Sequence, residues 1–398
     1  MNRLVKIDLP SGCLTLSLFQ EIFALDEICA FATRQNPKRT FLFVSKVLGK
    51  HVPVSLKRAR VVYKRLVQEI PNDVLGTVAW VGLAETATGF AEELAWCWAH
   101  YTNRQDAFFQ ITTRYPVPAL HYSCFEEVHS HATFQAIHLP NRSDVQTLML
   151  VDDEITTGNT LGQLMTLWKQ HCPTLKRVVW VVLKSWLQPD VEKMHKARAA
   201  QLDIQLDIVA LLKGSYSFQA NPDFKIHFPA NTEAASEAES SSYHRQLQLG
   251  LDGVRQGIRI TPKRPESMVQ AVSVSDIAYI RSQGEARVLG LGECTAAAFL
   301  LAEKFEEWGI NSTVQSVTRS PILEGESIHH KQHWADPYGL NIAHYSYNVD
   351  AVACHSLHIV SECDYLDLPP KWEHAWVWYW NGHCLTRVSN RNLQAPSL

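Results

Sequence analysis

The sequence predicts an α/β protein in which a parallel-sheet domain is followed by a second, divergent α/β domain. Strand-like and helix-like segments alternate from about residue 76 to residue 213, and this alternation is typical of a parallel sheet with crossover helices. Helical patterns begin near Gly89 and Gly158. The strand-like segments are 77–83, 107–113, 147–151 and 177–183. Landmarks of this region recur later in the chain, which predicts a related second domain.

Composition limits the classes of function. The 398 residues, 46% hydrophobic and 19% charged, allow two or three domains with substantial cores. A net charge of −3 argues against a nucleic-acid partner or an anionic membrane surface. No apolar stretch approaches the roughly 20 residues of a membrane span, and no signal-peptide core is recognisable. Nine scattered cysteines without a C-x-x-C pair are typical of reduced thiols, so we expect a cytoplasmic location.

A polar segment divides the chain. From about residue 231 to 242 the composition turns to Ala, Ser, Glu and Thr, with little to bury, which predicts a linker. We therefore expect a first domain at 1–230, a linker at 231–249 and a second domain at 250–398. Residues 1 to about 70 are a candidate substrate-binding hood of the first domain.

The most informative motif joins an apolar strand, two carboxylates and a hydroxyl-rich loop that opens a helix. A helix that begins after Gly158 presents unpaired backbone N–H groups and the positive end of its dipole, which suit a phosphate monoester. Asp152 and Asp153 are acceptors suited to ribose hydroxyls or to magnesium and its waters. The candidate phosphate ligands are Thr156, Thr157, Gly158, Asn159 and Thr160. The segment therefore predicts a site for a phosphorylated sugar.

The ten residues Val151-Asp-Asp-Glu-Ile-Thr-Thr-Gly-Asn-Thr160 resemble the signature of type I phosphoribosyltransferases, the orotate phosphoribosyltransferase-like fold. In that family this segment binds the ribose 5-phosphate of phosphoribosyl pyrophosphate (PRPP). The resemblance implies Mg²⁺-dependent transfer of phosphoribose from PRPP to an acceptor, with release of pyrophosphate. It also implies that Asp152 and Asp153 meet Mg²⁺ indirectly, through ribose hydroxyls or water.

A second strand-to-helix turn is the candidate pyrophosphate loop, because bare backbone and threonines there approach an anion closely. Glu85 would repel pyrophosphate unless magnesium or a basic group intervenes, so it either helps to hold the metal or faces the other substrate. A merely structural turn is the alternative. The candidate ligands in this turn are Gly82, Glu85, Thr86, Thr88 and Gly89.

Further cations are candidates on either side of this turn. Lys46 and Lys50 follow an apolar strand and suit a substrate phosphate or carboxylate, unless they are solvated lysines. The resemblance places a mobile lid after Arg114, in which His129 and His131 stabilise or protonate the leaving pyrophosphate. Family members give that role largely to lysines, so a surface loop or a zinc-binding pair are the alternatives for the two histidines.

The second region repeats the order of the first. Val81-Gly-Leu-Ala-Glu-Thr86 corresponds to Leu289-Gly-Leu-Gly-Glu-Cys294, at an offset of 208 residues, and Thr113-Arg-Tyr-Pro116 to Thr318-Arg-Ser-Pro321, at an offset of 205. The segment 148–154 falls on 357–363, where the paired aspartates are lost. We infer a degenerate duplicate, with chance likeness of two turns as the alternative. Arg319 and the turn 289–294 are a candidate second anion site.

The second region also resembles the TRSP domain, named for Thr-Arg-Ser-Pro. The whole chain resembles two-part phosphoribosyltransferases of tellurite-resistance gene clusters, which implies a role in making a nucleoside-like metabolite. The expected partners are PRPP, an unidentified acceptor and a possible second copy of the chain. A non-catalytic PRPP or nucleotide sensor is the alternative function. A third interpretation makes the second domain an interaction module whose aromatic hairpin, 376–380, is the contact face.

Overall fold

The computed structural model describes the chain at residues 2–115, 123–126, 134–139, 143–225, 255, 257–264, 269–325, 327–338, 342–350, 356–363, 366, 368–382 and 384–388. The linker expected at 231–249 lies outside these residues. Within them, no helix combines the length and the apolar character needed to cross a membrane.

The first part of the chain forms twelve strands and five helices among the described residues. Its strands are β1 (Arg3–Leu9), β2 (Gly12–Glu21), β3 (Cys29–Thr33), β4 (Phe41–Ser45), β5 (Val54–Ser55), β6 (Thr77–Gly82), β7 (Ala107–Ile111), β8 (Ser123–Glu126), β9 (Phe134–Ile137), β10 (Val145–Ile155), β11 (Arg177–Ser185) and β12 (Gln205–Ala220). Its helices are α1 (Leu25–Ile28), α2 (Leu56–Gln68), α3 (Thr88–Thr102), α4 (Asn159–His171) and α5 (Pro189–Gln201).

The later part contributes nine strands and two α-helices among the described residues. The elements are β13 (Ile258–Ile260), β14 (Val269–Gln270), α6 (Val274–Ser282), β15 (Ala286–Gly290), α7 (Thr295–Glu307), β16 (Ser312–Ser316), β17 (Gln332–Trp334), β18 (His344–Ser346), β19 (Ser356–Ser361), β20 (Trp376–Trp380) and β21 (Leu385–Val388).

The first sheet has the order β1-β2-β12-β11-β10-β6-β7-β13, and its five inner strands, β12 to β7, run parallel. All nine residues of β11 are buried, as expected of a parallel strand that is covered on both faces. Met149 and Val151 of β10 face one core, whereas Leu148 and Leu150 face the core beneath α4. The predicted α/β class and parallel sheet are thus confirmed.

The second sheet repeats the first. Its order is β14-β21-β20-β19-β15-β16-β5, with β20, β19, β15 and β16 parallel. The parallel order β11-β10-β6-β7 of the first sheet therefore recurs as β20-β19-β15-β16. Strands β6 and β15 occupy equivalent positions, which is the arrangement that a duplicated unit requires.

The two halves exchange their edge strands. Strand β13, from the later part of the chain, pairs antiparallel with β7, and β5, from the first part, pairs antiparallel with β16. Helices α3 and α7 pack closely between the sheets, since a Cβ at Gly89 would lie 2.8 Å from Thr295 Cγ2. One hydrophobic core contains residues of both halves. The boundary between the halves is therefore interlaced in space.

The tryptophan hairpin belongs to this interior. Strand β20 pairs parallel with β19 and antiparallel with β21, and Trp378 and Trp380 are buried. The side chains of Trp378 and Phe305 of α7 meet edge to face, with ring centroids 6.2 Å apart. Packing against the core therefore accounts for Trp378 and Trp380.

Candidate functional site

A polar cavity of about 200 Å³ lies at the carboxyl ends of β6 and β10. Four segments supply most of its lining, namely the loop after β10, the turn after β6, the β3–β4 hairpin and residues 318–320 of the second half, and His51, Arg114 and Gln135 complete it. Its wall carries four carboxylate side chains and four arginines, which are Glu85, Asp152, Asp153, Glu154, Arg34, Arg39, Arg114 and Arg319. The cavity therefore offers acceptors for hydroxyls and donors for anions within one space.

The loop after β10 has the form that a phosphate site needs. Residues 156–160 all line the cavity, and α4 begins at Asn159, so the first N–H groups of this helix lack intrahelical partners. Gly158 has a φ of 70°, and a Cβ there would lie 2.8 Å from the Trp180 ring. Buried His195 supports the loop from beneath, with Nε2 2.7 Å from Thr157 O. A glycine is therefore required at the bend.

Asp152 and Asp153, at the end of β10, line the cavity, and Asp153 N donates to Asp152 Oδ1 at 2.8 Å. Fully buried Lys184 places Nζ 3.6 Å from Asp153 Oδ2. Burial raises the pKa of Asp153; Lys184 opposes this shift, whereas neighbouring Glu154 adds to it. The ionised carboxylate of Asp153 would therefore be destabilising in this buried place without a cation or a hydrogen-bond donor beside it.

Glu154 is held differently. Arg39 Nη1 donates to its Oε1 at 2.7 Å, and Lys184 Nζ lies 3.9 Å from its Oε2. Burial alone would raise the pKa of Glu154, but the charges of Arg39 and Lys184 outweigh it and lower the pKa. Glu154 therefore stays ionised as the anchor of Arg39.

The turn after β6 is only partly a ligand surface. Leu83, Ala84, Glu85 and Thr86 line the cavity, and the Ala84–Glu85 peptide bond is cis. Ala84 is fixed by neighbours: its N–H donates to Thr112 Oγ1 at 2.8 Å, and its carbonyl accepts from Gln135 Nε2 at 2.7 Å.

Three predicted ligands of this turn lie away from the cavity wall. A Cβ at Gly82 would lie 2.7 Å from Ala91 Cβ of α3, so this glycine permits strand and helix to pack. Thr88 is fully buried at the start of α3, and Gly89 faces α7 of the other half. The structure therefore gives Gly82 and Gly89 packing roles.

Glu85 is surrounded by cations. Lys50 Nζ lies 2.8 Å from Glu85 Oε1, the backbone N–H of Arg319 donates to the same oxygen at 3.2 Å, and Arg319 Nε lies 3.7 Å from Oε2. Burial would raise the pKa of Glu85, but the charges of Lys50, Arg114 and Arg319 lower it well below its ordinary value. Basic groups thus offset the repulsion expected between Glu85 and an anion. The sequence implied that either a basic group or magnesium would be needed for this purpose.

The other predicted cations separate into three groups. Arg114 lines the cavity, and its Nε donates to Ala84 O at 3.3 Å. Lys46 lies elsewhere, because its ammonium donates to Asp26 O at 2.7 Å and lines a different groove. His129 and His131 lie outside the described residues. Of the two candidate lysines, the structure thus brings only Lys50 to the site.

The corresponding place in the second half is filled. Arg255 Nη2 lies 2.9 Å from Glu293 Oε2 and 3.2 Å from Glu362 Oε1, and all three side chains are almost completely buried. Tyr338 donates its hydroxyl to Glu362, and Glu293 also accepts from the Arg114 backbone N–H at 2.8 Å. The prediction of a second anion site at 289–294 is therefore wrong: Arg255, paired with two protein carboxylates, fills this place, and Arg319 lines the first cavity instead.

Several site residues escaped the sequence interpretation. They are Arg34, Arg39, Glu154, Lys184 and His195, together with Arg319 as a member of the first site. For Arg319 alone a signal existed, since it corresponds to Arg114 in the repeat. The residues that the structure describes contain no group of three or more His, Cys, Asp or Glu side chains arranged to hold a metal ion.

The parallel sheet, the helix-opening loop after β10 and the acid pair at the end of this strand form the arrangement expected of a phosphoribosyltransferase enzyme. The family model described as phosphoribosyl transferase matches residues 28–215, and the model of the TRSP domain that follows this transferase matches residues 252–366. The chain therefore carries a phosphoribosyl transferase domain followed by a TRSP domain.

Similar solved structures are also phosphoribosyltransferases. The adenine phosphoribosyltransferase of Rhodothermus marinus is 14% identical, with a TM-score of 0.33 over 47% of this chain and 95% of that chain. The enzyme of Trypanosoma brucei, in complex with AMP, pyrophosphate and ribose-5-phosphate, is 10% identical, with a TM-score of 0.33 over 47% and 77%. Aeropyrum pernix orotate phosphoribosyltransferase is 16% identical, with a TM-score of 0.26 over 43% and 79%. No curated protein sequence matches. At these identities and TM-scores, no substrate and no residue role is transferred from these structures to this chain.

Proposed function

We propose that the protein transfers the phosphoribosyl group of PRPP to a small-molecule acceptor. The C1–O bond to pyrophosphate breaks, its electron pair leaves with pyrophosphate, and a lone pair of the acceptor forms the new bond to C1 while the acceptor loses a proton. The observation that carries this proposal is the convergence of residues 152–153, 156–160 and 83–86 on one cavity.

Each group in the cavity has a binding role in this proposal. Asp152 and Asp153 accept hydrogen bonds from the ribose hydroxyls, and the loop 156–160 binds the 5′-phosphate. Arg114 and the turn 83–86 bind the pyrophosphate. The ribosyl centre develops positive charge as pyrophosphate departs, so orientation and charge stabilisation are needed rather than a protein nucleophile.

We propose that Mg²⁺ accompanies the pyrophosphate. The donor set fits this ion, because Asp152 and Asp153 bring carboxylate oxygens to the cavity wall and Mg²⁺ prefers oxygen ligands with several retained waters. When bound, the ion neutralises charge on the leaving group. Asp152 and Asp153 would meet it through ribose hydroxyls or water.

The acceptor that we propose is flat and nucleobase-like, with other small molecules as the alternative. Leu42 and Phe43 of the β3–β4 hairpin line the cavity. Phe43 stacks on Trp186 with ring centroids 4.5 Å apart, and the Arg39 guanidinium carbon lies 4.7 Å from the Phe41 ring centroid. Arg39 also lines the cavity, and its planar guanidinium, held against these rings, offers a flat face on which a planar ligand stacks.

Calorimetric titration of Mg·PRPP into the wild-type protein tests the proposal. We expect saturable binding, followed by pyrophosphate release when nucleobase-like acceptors are added. Absence of PRPP binding by folded protein would overturn the proposal. Binding without pyrophosphate release for any acceptor would favour the non-catalytic sensor.

Further elements of the expected function belong to the same proposal. We propose a cytoplasmic location, supported by the scattered cysteines, and the domain division 1–230, 231–249 and 250–398, amended by the exchange of β5 and β13. A role in making a nucleoside-like metabolite linked to tellurite or stress resistance is supported by the resemblance of the whole chain. Association of two copies is a proposal that sedimentation would test.

A further inference from the structure

We infer that Arg319, supplied by the second half, binds the pyrophosphate group of PRPP in the site of the first half. This inference rests on the proposed function and deepens it. It assigns a task to the Thr-Arg-Ser-Pro segment and explains why a half that has lost its own site retains that segment.

The Arg319 guanidinium is buried and only partly satisfied within the protein. Arg319 lines the cavity with only 8% of its surface exposed. Its Nε and Nη2 are buried without a hydrogen-bond acceptor at proper distance and angle among the described residues, and the nearest carboxylate oxygen to Nε, Glu85 Oε2, lies 3.7 Å away. Buried donors of a charged group are costly to leave unsatisfied. An anion that enters the cavity beside Arg319 would satisfy them.

Neighbouring side chains hold the Arg319 side chain in place before any ligand binds. The Arg319 guanidinium carbon lies 4.3 Å from the ring centroid of Tyr115. The Tyr115 hydroxyl lies 3.1 Å from His344 Nε2, and His344 Nδ1 lies 2.9 Å from Ile342 O. Since a carbonyl oxygen only accepts, Nδ1 of a neutral His344 is the donor and Nε2 accepts from Tyr115. Tyr115 and His344 are thus positioning residues beneath Arg319.

Arg319 lies beside the turn that would bind the pyrophosphate part of PRPP. Its backbone N–H and its Nε both approach Glu85, which belongs to the turn assigned to pyrophosphate. Lys50, Arg114 and Arg319 surround the single carboxylate of Glu85, so positive charge exceeds negative charge at this turn. A guanidinium presents paired donors that match phosphate oxygens. Pyrophosphate is the most highly charged part of PRPP and fits this excess.

Arg319 and Arg114 occupy equivalent positions in the two halves. Glu85 accepts from the backbone N–H of Arg319, and Glu293 accepts from the backbone N–H of the equivalent Arg114. The two side chains nevertheless share one destination, because Arg114 and Arg319 both line the first cavity. In the second half, Arg255 fills the equivalent space. The duplicate has thus become a donor of one cation to its neighbour.

The test compares three ligands: Mg·PRPP, Mg·pyrophosphate and ribose 5-phosphate. In Arg319→Gln we expect the affinity for Mg·PRPP and Mg·pyrophosphate to fall by about 10-fold to 100-fold, the usual effect of losing hydrogen bonds to a charged group. Affinity for ribose 5-phosphate should stay within about twofold, because its phosphate occupies the loop 156–160. The exposed Arg281→Gln, also in the second half, is the matched control and should bind all three ligands as the wild type does.

A conservative variant covers the case in which Arg319→Gln fails to fold. Arg319→Lys keeps the charge beside Glu85 but loses the fork, so we expect the same selectivity at a smaller size, about fivefold. Unchanged pyrophosphate affinity in the folded glutamine variant, or equal weakening of all three ligands in the lysine variant, would overturn the inference. Failure of the wild type to bind both PRPP and ribose 5-phosphate would instead overturn the proposed function, and this inference with it.

Discussion

The ends of the central strands in the two halves share one backbone arrangement. In the first half, Leu83 N donates to Val151 O at 3.0 Å, and in the second, Leu291 N donates to Val360 O at 2.9 Å. The strand orders around them also agree. The difference between a cavity and a filled interior must therefore come from side chains.

That difference depends on one cation in each half. Lys50 pairs with Glu85, whereas Arg255 bridges Glu293 and Glu362, the residue that stands where Asp153 would be. A planar guanidinium can bind two carboxylates at once, so it joins the turn and the strand end and closes the space between them. The filled interior of the second half therefore follows from one guanidinium that joins two carboxylates.

Removing the ligand-facing acids of the first half should have the largest effect. For Asp152→Asn/Asp153→Asn we expect turnover to fall about 1000-fold or more, because the ribose diol loses its charged acceptors. Circular dichroism and thermal melting should remain near those of the wild type. Ser361→Ala changes the position equivalent to Asp152 and should leave PRPP binding unaltered. Near-normal turnover in the double variant would refute the assignment.

Breaking the filled site should destabilise the protein more than breaking the open one. Arg255→Met leaves Glu293 and Glu362 buried without their shared cation, so the free energy of unfolding should fall by about 3–5 kcal/mol. Lys50→Met leaves Glu85 beside Arg319 and should cost less, about 1–3 kcal/mol. Urea unfolding measures both. Equal losses would contradict the distinction between the two halves.

The bend of the phosphate loop supplies a smaller and more local test. Gly158→Ala places a Cβ 2.8 Å from the Trp180 ring at a φ of 70°, so stability should fall by about 2–4 kcal/mol and phosphate affinity with it. Gly284 has a φ of 86° but no neighbour within 4 Å, so Gly284→Ala should cost about 1–2 kcal/mol. Indistinguishable melting curves for the two variants would show that the loop yields to the added methyl group.

The smallest expected effect is on the pH dependence of stability. The pKa of Glu85 is lowered in the folded protein, so its ionised form contributes stability above its ordinary value of 4.5. That contribution is lost as the pH falls from 4.5 toward the folded pKa. In Glu85→Gln, the free energy of unfolding should therefore depend less steeply on pH between pH 5 and pH 3. The difference in slope should correspond to the uptake of about one proton. An unchanged slope would show that Glu85 does not titrate in this way.

The sequence revealed the parts of the site that are contiguous. The phosphate loop and the acid pair lie within ten residues, where an apolar strand, Gly158 and the following helical spacing fix their order. Alternating apolar strands and helical spacing indicated the parallel sheet, and the repeated turns indicated a related second domain. These features depend on local geometry, which short stretches of sequence encode.

The missing parts come from distant segments. Arg39 meets Glu154 across 115 positions, and Arg319 meets Glu85 across 234, so only the folded sheet brings them together. Sequence also could not separate Lys46 from Lys50, which lie four positions apart: Lys46 lines a different groove, whereas Lys50 pairs with Glu85 of the site. The role of Gly89 was also hidden, because the sequence does not distinguish a glycine that lets a neighbouring helix pack closely from one that lets a phosphate approach.

The exchanged edge strands have a consequence for how such a protein diverges. In an assembly of two identical chains, any substitution appears twice, so a change that closes one site closes both. Here β5 and β13 bind the halves to each other within a single chain, and each position mutates alone. One half can then lose its own site and contribute residues to the site of the other. The two halves still occur in equal numbers, because they belong to one chain.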